Sequence, residues 1–143
     1  MIAALFLPLL LQAAPAPAIT GLPLGAIGKQ ALPAKGCAAY LWSAGTINAL
    51  VAMAVADPAQ LRLAIDGKIA DYARTSQTGD GGFGFAAVGE YRGGDVTATL
   101  DMTVVPRANL SNGAAVTGGT LRIDRPGKDS LILPIAGLVG CRP

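Results

Sequence analysis

Histidine is absent from all 143 residues of this chain. Its absence excludes Ser-His-Asp and Cys-His catalysis, and it removes the commonest general base and the commonest metal ligand. Serine–lysine, nucleophile-elbow and phosphate-loop motifs are missing as well. We therefore expect no catalytic residue, no cofactor and no metal site, and we interpret the chain as a non-enzyme.

Charge is scarce too, because charged residues make up 14% of the chain against about 25% in a typical globular protein. The eleven Lys and Arg and the nine Asp and Glu are scattered along the sequence. Neither the basic stripe of a nucleic-acid binder nor a polybasic membrane patch is present, so we expect no nucleic acid as a partner. A hydrophobic fraction of 52% excludes a disordered chain.

Long apolar runs are also lacking, and the longest, Ile2 to Leu11, is too short for the roughly 20 residues of a membrane-spanning helix. Small residues follow it, with Ala16 and Ala18 forming an A-x-A cleavage site. We predict a signal peptide over residues 1–18 and no transmembrane segment in the mature chain. Frequent Ala, Gly, Pro and Arg suggest a bacterial source, which predicts a periplasmic or secreted protein.

Two cysteines, Cys37 and Cys141, are the only ones in the chain. In an oxidising compartment an even number of cysteines indicates a disulfide. A redox pair would favour C-x-x-C spacing, whereas this pair closes a loop of about a hundred residues, worth about 4.7 kcal/mol in the chain-entropy model. We predict a structural disulfide that joins the first and last strands of the domain.

Nineteen glycines and ten prolines indicate many turns and few long helices. Residues 19–33 are expected to form an irregular Pro/Gly-rich lead-in, part of which lies against the domain. Residues 34–143 then read as a single β domain of short apolar runs separated by turns. The clearest strand is 96–104, where apolar residues alternate with threonine and aspartate.

The segment 57–73 allows two interpretations. Asp57-Pro58 could cap a helix, whereas the Asp66-Gly67 pair between alternating residues favours a hairpin, which is our prediction. Pro134 cannot donate to a strand ladder, so the last strand should lie at an edge or carry a bulge there. About eight strands with turns every 8–12 residues predict an all-β fold, an antiparallel sandwich or a small barrel.

Few aromatic residues occur, 5% of the chain, yet several fall on strands beside small residues. Possible ligand-facing aromatics are Tyr40, Trp42, Phe83, Phe85 and Tyr91. They favour an alternative function, the carriage of a small apolar ligand in a β-barrel cavity. The leading hypothesis is an exported, non-catalytic binding protein of the bacterial envelope or secreted fraction, whose partner is another envelope or secreted macromolecule.

A second alternative is a carboxylate-based hydrolase, which needs two acidic groups about 5–10 Å apart in a cleft. Most carboxylates fall in turns or on outward strand positions, where a solvated role is the simpler interpretation. The nine candidates are Asp57, Asp66, Asp71, Asp80, Glu90, Asp95, Asp101, Asp124 and Asp129.

Overall fold

The structure is a computed structural model that describes residues 22–45, 48–110 and 112–143. The predicted signal peptide, residues 1–18, lies outside the described residues. Within the described ranges the ordered elements are all β-strands: β1 (Leu24–Gly25), β2 (Gly36–Ser43), β3 (Leu50–Val55), β4 (Gln60–Ile65), β5 (Lys68–Gly82), β6 (Phe85–Gly93), β7 (Val96–Pro106), β8 (Gly113–Asp124) and β9 (Leu131–Arg142).

Strands β2 to β9 form a closed, antiparallel, up-and-down barrel. Each strand pairs with the next one along the chain, and β9 pairs back onto β2 through eight consecutive residue pairs. The all-β prediction of about eight strands is thus confirmed, and the sheet is a barrel. Closure leaves each barrel strand with a neighbour on both sides, at least along part of its length.

The interior of the barrel is filled by side chains from all eight strands. In β7 the predicted alternation holds, since Ala98, Leu100 and Met102 are buried while Thr99 and Asp101 between them face outward. An eight-stranded barrel is just wide enough for side chains to fill it or to hold one small ligand. Leucines occupy much of this interior, and the fully buried ones include Leu41, Leu61, Leu63, Leu100 and Leu121.

The disulfide between Cys37 and Cys141 is present, with a Cα–Cα distance of 4.0 Å. It joins β2 to β9 and not the first strand to the last, because the two-residue strand β1 precedes β2 in the chain. The bond lies at one end of the barrel, called here the disulfide end, together with the β3–β4, β5–β6 and β7–β8 turns. The β4–β5, β6–β7 and β8–β9 turns lie at the opposite end.

The lead-in crosses the outside of β2, β3 and β4. Its strand β1 pairs with Ala64 and Ile65 of β4, and Ile27 packs on the outer side chains of Met53 and Val55. Gln30 accepts a hydrogen bond of 2.7 Å from Arg62. This segment therefore covers an apolar patch on the outer face of β2, β3 and β4.

The segment 57–73 is the predicted hairpin. Asp66 and Gly67 form its two-residue turn with φ angles of 51° and 79°, the left-handed geometry that Asp-Gly pairs adopt in tight hairpins. Alternation in β4 places Leu61 and Leu63 in the core, which a helix over the same residues would not do.

β9 as a whole is not an edge strand, since it pairs with both β2 and β8, but its β2 partners end at Ile135, so at Pro134 the strand is an edge locally, as predicted. The adjacent β8–β9 ladder also carries a bulge. The extra residue is in β8, between Val116 and Gly119. Pro134 needs no N–H there because β2 ends at Ser43, and the Pro134 carbonyl accepts a hydrogen bond from the next residue, Ala44.

Strands β5 and β6 extend past their outer neighbours as an arm, residues 75–87. The last β4 partner of β5 is Ala73, and the first β7 partner of β6 is Val88. At the tip of the arm Phe83 and Phe85 pack against the barrel core, and Gly84 lies close to Ala56 of the β3–β4 turn. The arm therefore folds over the disulfide end of the barrel.

Candidate functional site

The five aromatic residues singled out from the sequence separate into two groups. Phe85 and Tyr91 are buried in the barrel core, and Phe83 packs against the same core. Tyr40 and Trp42 alternate with buried Leu41 and lie half-buried on the outside of β2. The five side chains therefore do not surround one common cavity.

Of the three aromatic residues at the barrel core, Phe83, Phe85 and Tyr91, the tyrosine alone carries a polar group, its hydroxyl. Burial raises the pKa of Tyr91, and the charge and hydrogen bond of its cross-strand partner Arg74 partly offset this. No carboxylate pairs with Arg74 among the described residues. The tyrosine thus gives this arginine a polar contact near the base of the arm.

An apolar surface, called here the outer strip, runs along the outside of β2 and β9. Tyr40 lies opposite Leu138, and Trp42 lies opposite Ala136. Leu138 is 49% exposed and Ile132, farther along β9, is 60% exposed. With the exposed Pro134 between them, the outer strip comprises Tyr40, Trp42, Ile132, Pro134, Ala136 and Leu138.

A shallow groove of about 340 Å³ continues the outer strip towards the disulfide end, lined by Leu32, Tyr40, Leu110 and Leu138. The Tyr40 hydroxyl donates a 3.0 Å hydrogen bond to the Ala31 carbonyl, which holds the ring in place. Burial raises the pKa of Tyr40, and the charge of Arg142 partly offsets this shift. The groove offers apolar contacts with few polar groups to desolvate.

A second surface feature, the notch, opens in the barrel wall between β5 and β6. The two strands pair up to Ala73 and Arg92 and then separate towards the opposite end. The ring of Tyr72 fills part of the gap, because a Cβ atom on Gly93 would lie only 2.7 Å from its Cδ1 atom. Tyr72 is 8% exposed, and the remaining space has a volume of about 460 Å³.

Charged side chains from three turns meet around the notch. Arg125, which follows β8, donates a 2.7 Å hydrogen bond to Asp66 of the β4–β5 turn. Asp95 of the β6–β7 turn and Lys68 of β5 also line it. The pKa of Tyr72 is raised mainly by burial and further by Asp95, while Arg125 opposes the shift, so its hydroxyl lies within the influence of both charges.

Three of the nine carboxylates considered for a hydrolase meet at the notch, and two of these three are held in ion pairs. Asp66, Asp71 and Asp95 line the notch, but Asp66 is paired with Arg125 and Asp71 with Arg62, the latter at 2.8 Å. Across the described ranges no three His, Cys, Asp or Glu side chains are grouped so that they could hold a metal ion. Asp66 and Asp71 are thus held by arginines, whereas Asp95 has no ion-pair partner among the described residues.

Sequence reasoning missed Tyr72 and Arg125, the two most buried polar side chains of the notch. Arg125 pairs with a residue 59 positions earlier, and no local pattern encodes that contact. The Gly93-Gly94 turn was the available signal, since paired glycines next to an aromatic-bearing strand permit close contact of a ring with the backbone.

The disulfide indicates an oxidising compartment outside the cytoplasm. Among the described residues, none belongs to a helix with the length and apolar character needed to cross a membrane. No protein-family model, curated protein or solved structure matches this chain.

Proposed function

We propose that this chain is an exported, non-catalytic binding protein of the periplasm or the secreted fraction, and that it binds another protein through the outer strip. The observation that carries the proposal is the combination of an aromatic pair, Tyr40 and Trp42, with exposed aliphatic side chains directly opposite on β9. Tryptophan and tyrosine dominate the energetics of protein interfaces when they are desolvated by a partner.

The filled interior directs binding to the outside. Side chains from all eight barrel strands occupy the lumen, and the arm with Phe83 and Phe85 covers the disulfide end. The surface of the barrel is then the place where a large partner meets this protein. The disulfide between β2 and β9 ties together the two strands that carry the outer strip, so the strip is presented on a stiff support.

A protein partner fits this surface better than a small molecule or an anionic polymer. The outer strip is a sheet face about 20 Å long, since Ile132 to Leu138 of β9 are six intervals apart at about 3.4 Å each. Small ligands instead prefer concave sites. None of its six members is charged, so it has no attraction for phosphates or for an anionic lipid surface. A stable complex buries about 800 Å² per partner, so the strip would form the apolar centre of a larger contact.

The experiment compares two substitutions of the same kind on different faces. Ile132→Glu places a charge in the outer strip, while Ile69→Glu, at a residue 46% exposed on β5, places the same charge elsewhere. Both positions are open to solvent, so neither variant should lose its fold. Wild type, these two variants and a second outer-strip variant, Leu138→Glu, are used to capture partners from the periplasmic or secreted fraction of the source cell, and affinity for any captured protein is measured.

We expect wild type and Ile69→Glu to retain the same partner with equal affinity. Ile132→Glu and Leu138→Glu should weaken it by about thirtyfold, the effect of losing a central interface contact of about 2 kcal/mol. Equal retention by all four proteins, or an equal loss in the Ile69→Glu control, would contradict the proposed site.

A further inference from the structure

The notch is a second site, remote from the outer strip, and its polar groups differ in depth. Tyr72 is 8% exposed and the Arg125 side chain 11%, whereas the Asp66 side chain is 65% exposed. Asp95 is exposed as well. The base of the notch therefore carries the hydroxyl and the guanidinium, and the rim carries Lys68 and the carboxylates of Asp66, Asp71 and Asp95.

The Tyr72 hydroxyl and the Arg125 guanidinium, the two groups at the base, both have hydrogen-bond donors without an acceptor among the described residues. Among the described residues the Tyr72 hydroxyl has no hydrogen-bond partner, and Arg125 uses its Nη1 atom for Asp66 while its other side-chain N–H groups have no acceptor. No fully enclosed side-chain polar atom lacks a partner within the described ranges, so these free donors open into the notch. Both groups donate, which suits an oxyanion.

At the rim, the carboxylate of Asp95 instead favours a positively charged group of a ligand. Asp95 forms no ion pair with any described residue, although it lies near enough to the Tyr72 hydroxyl to raise its pKa. A free carboxylate at the mouth of a site whose base donates hydrogen bonds favours a ligand with charge of both signs. The volume of about 460 Å³ is within the usual range for small-molecule sites, about 300–1,000 Å³.

We propose that the notch binds a small zwitterion, with the ligand carboxylate at Arg125 and Tyr72 and the ligand ammonium group at Asp95. A free amino acid has this chemistry, and so does a free dipeptide, whose two ends carry the two charges. Arg125 supplies a planar donor group that matches a carboxylate, and the Tyr72 hydroxyl adds a third donor from the side. The site is independent of the proposed protein partner.

The test uses the oxidised full chain and follows the backbone amide signals of Gly93 and Gly94 by NMR. The probes are glycine, β-alanine and γ-aminobutyrate, which separate the two charges by increasing lengths, with propionate and propylammonium as single-charge controls. We expect one of the zwitterions to bind with a dissociation constant of about a millimolar or lower, and each single-charge control to bind at least about tenfold more weakly. A dipeptide titrated in parallel distinguishes a short peptide from a free amino acid as the ligand.

Three variants assign the roles. Tyr72→Phe keeps the ring and should weaken binding by about three- to tenfold, and Arg125→Gln by about tenfold or more. Asp95→Asn should leave propionate binding in place and abolish the preference for the zwitterion. Tyr40→Phe, which removes a hydroxyl from the outer strip, serves as the matched control and should leave affinity unchanged.

Three results would overturn the proposal: no shift at Gly93 or Gly94 with any zwitterion, a single-charge probe that binds as tightly as the best zwitterion, or a Tyr72→Phe variant with wild-type affinity. Because none of these variants except the control alters the outer strip, such a failure would leave the protein-binding proposal in place. Conversely, loss of partner binding in Ile132→Glu with intact zwitterion binding would separate the two sites.

Discussion

Gly118 and Gly119 are neighbours in β8, and replacing each of them with alanine tests the packing of the barrel wall with one added methyl group. A Cβ atom on Gly119 would lie 2.2 Å from the Asp101 carbonyl oxygen and 2.9 Å from both Met102 Cα and the Cδ1 atom of Ile135. A Cβ atom on Gly118 would meet no atom within 4 Å. Neither glycine has a left-handed φ angle, so the comparison is free of backbone strain at the substituted residue.

The magnitude follows from what has to move. The nearest obstacle at position 119 is backbone of β7, which cannot rotate away as a flexible side chain can, so the strands must shift by about 1 Å to reach ordinary contact distance. Overpacking of this kind costs about 1–3 kcal/mol. Gly118→Ala should instead be neutral or stabilise by about 0.4–1 kcal/mol, because it reduces the freedom of the unfolded chain. We expect the two alanine variants to differ by about 1–4 kcal/mol.

Urea unfolding followed by tryptophan fluorescence measures this difference, since Trp42 is the single tryptophan of the chain. Equal slopes of the transitions in the two variants would show that the native states remain comparable. If Gly119→Ala unfolds within about 0.5 kcal/mol of Gly118→Ala, the close approach of β8 to β7 is not a constraint on the barrel, and the reasoning is refuted.

Two further predictions concern the disulfide and Tyr91. The Cys37→Ala/Cys141→Ala variant should lose about 2–5 kcal/mol of unfolding free energy, because the bond spans 104 residues. Reduced wild type, measured alongside, separates the effect of the cross-link from that of the lost sulfur atoms. A loss below about 1 kcal/mol in both proteins would contradict this prediction. The pKa of Tyr91 is raised in the folded state, so its contribution to stability is complete below the ordinary value of 10.0 and is lost as the pH rises through the folded pKa. Tyr91→Phe should accordingly lose less stability than wild type between about pH 9 and 11, and equal losses in both would count against a role for Tyr91.

The parts of the fold that could be predicted are those encoded by neighbouring residues. Alternation from Val96 to Val104 identifies β7, and Asp66-Gly67 identifies the β4–β5 hairpin, because both depend on the pleat and on turn geometry. The disulfide could be predicted as well, since two cysteines permit one pairing.

The remainder depends on contacts between distant segments. Closure of the barrel requires β9 to reach β2, and alternation is the same in a sandwich and in a barrel. The two-residue strand β1 is recognisable by its hydrogen bonds to β4 and not by its composition. The notch needs β5 and β6 to separate beyond Ala73, and it brings Tyr72 next to Arg125 of a different turn.

The arm has a consequence for the behaviour of the protein at high concentration. From Thr75 to Gly82 the outer edge of β5 has no strand partner among the described residues, and such an edge is a template on which another chain can add and aggregate. This stretch, Thr-Ser-Gln-Thr-Gly-Asp-Gly-Gly, contains no large apolar side chain, so an added strand would gain backbone hydrogen bonds and almost no dry side-chain packing. An open edge of this composition is compatible with solubility, whereas a Val-rich or Ile-rich edge at the same place would promote fibril formation.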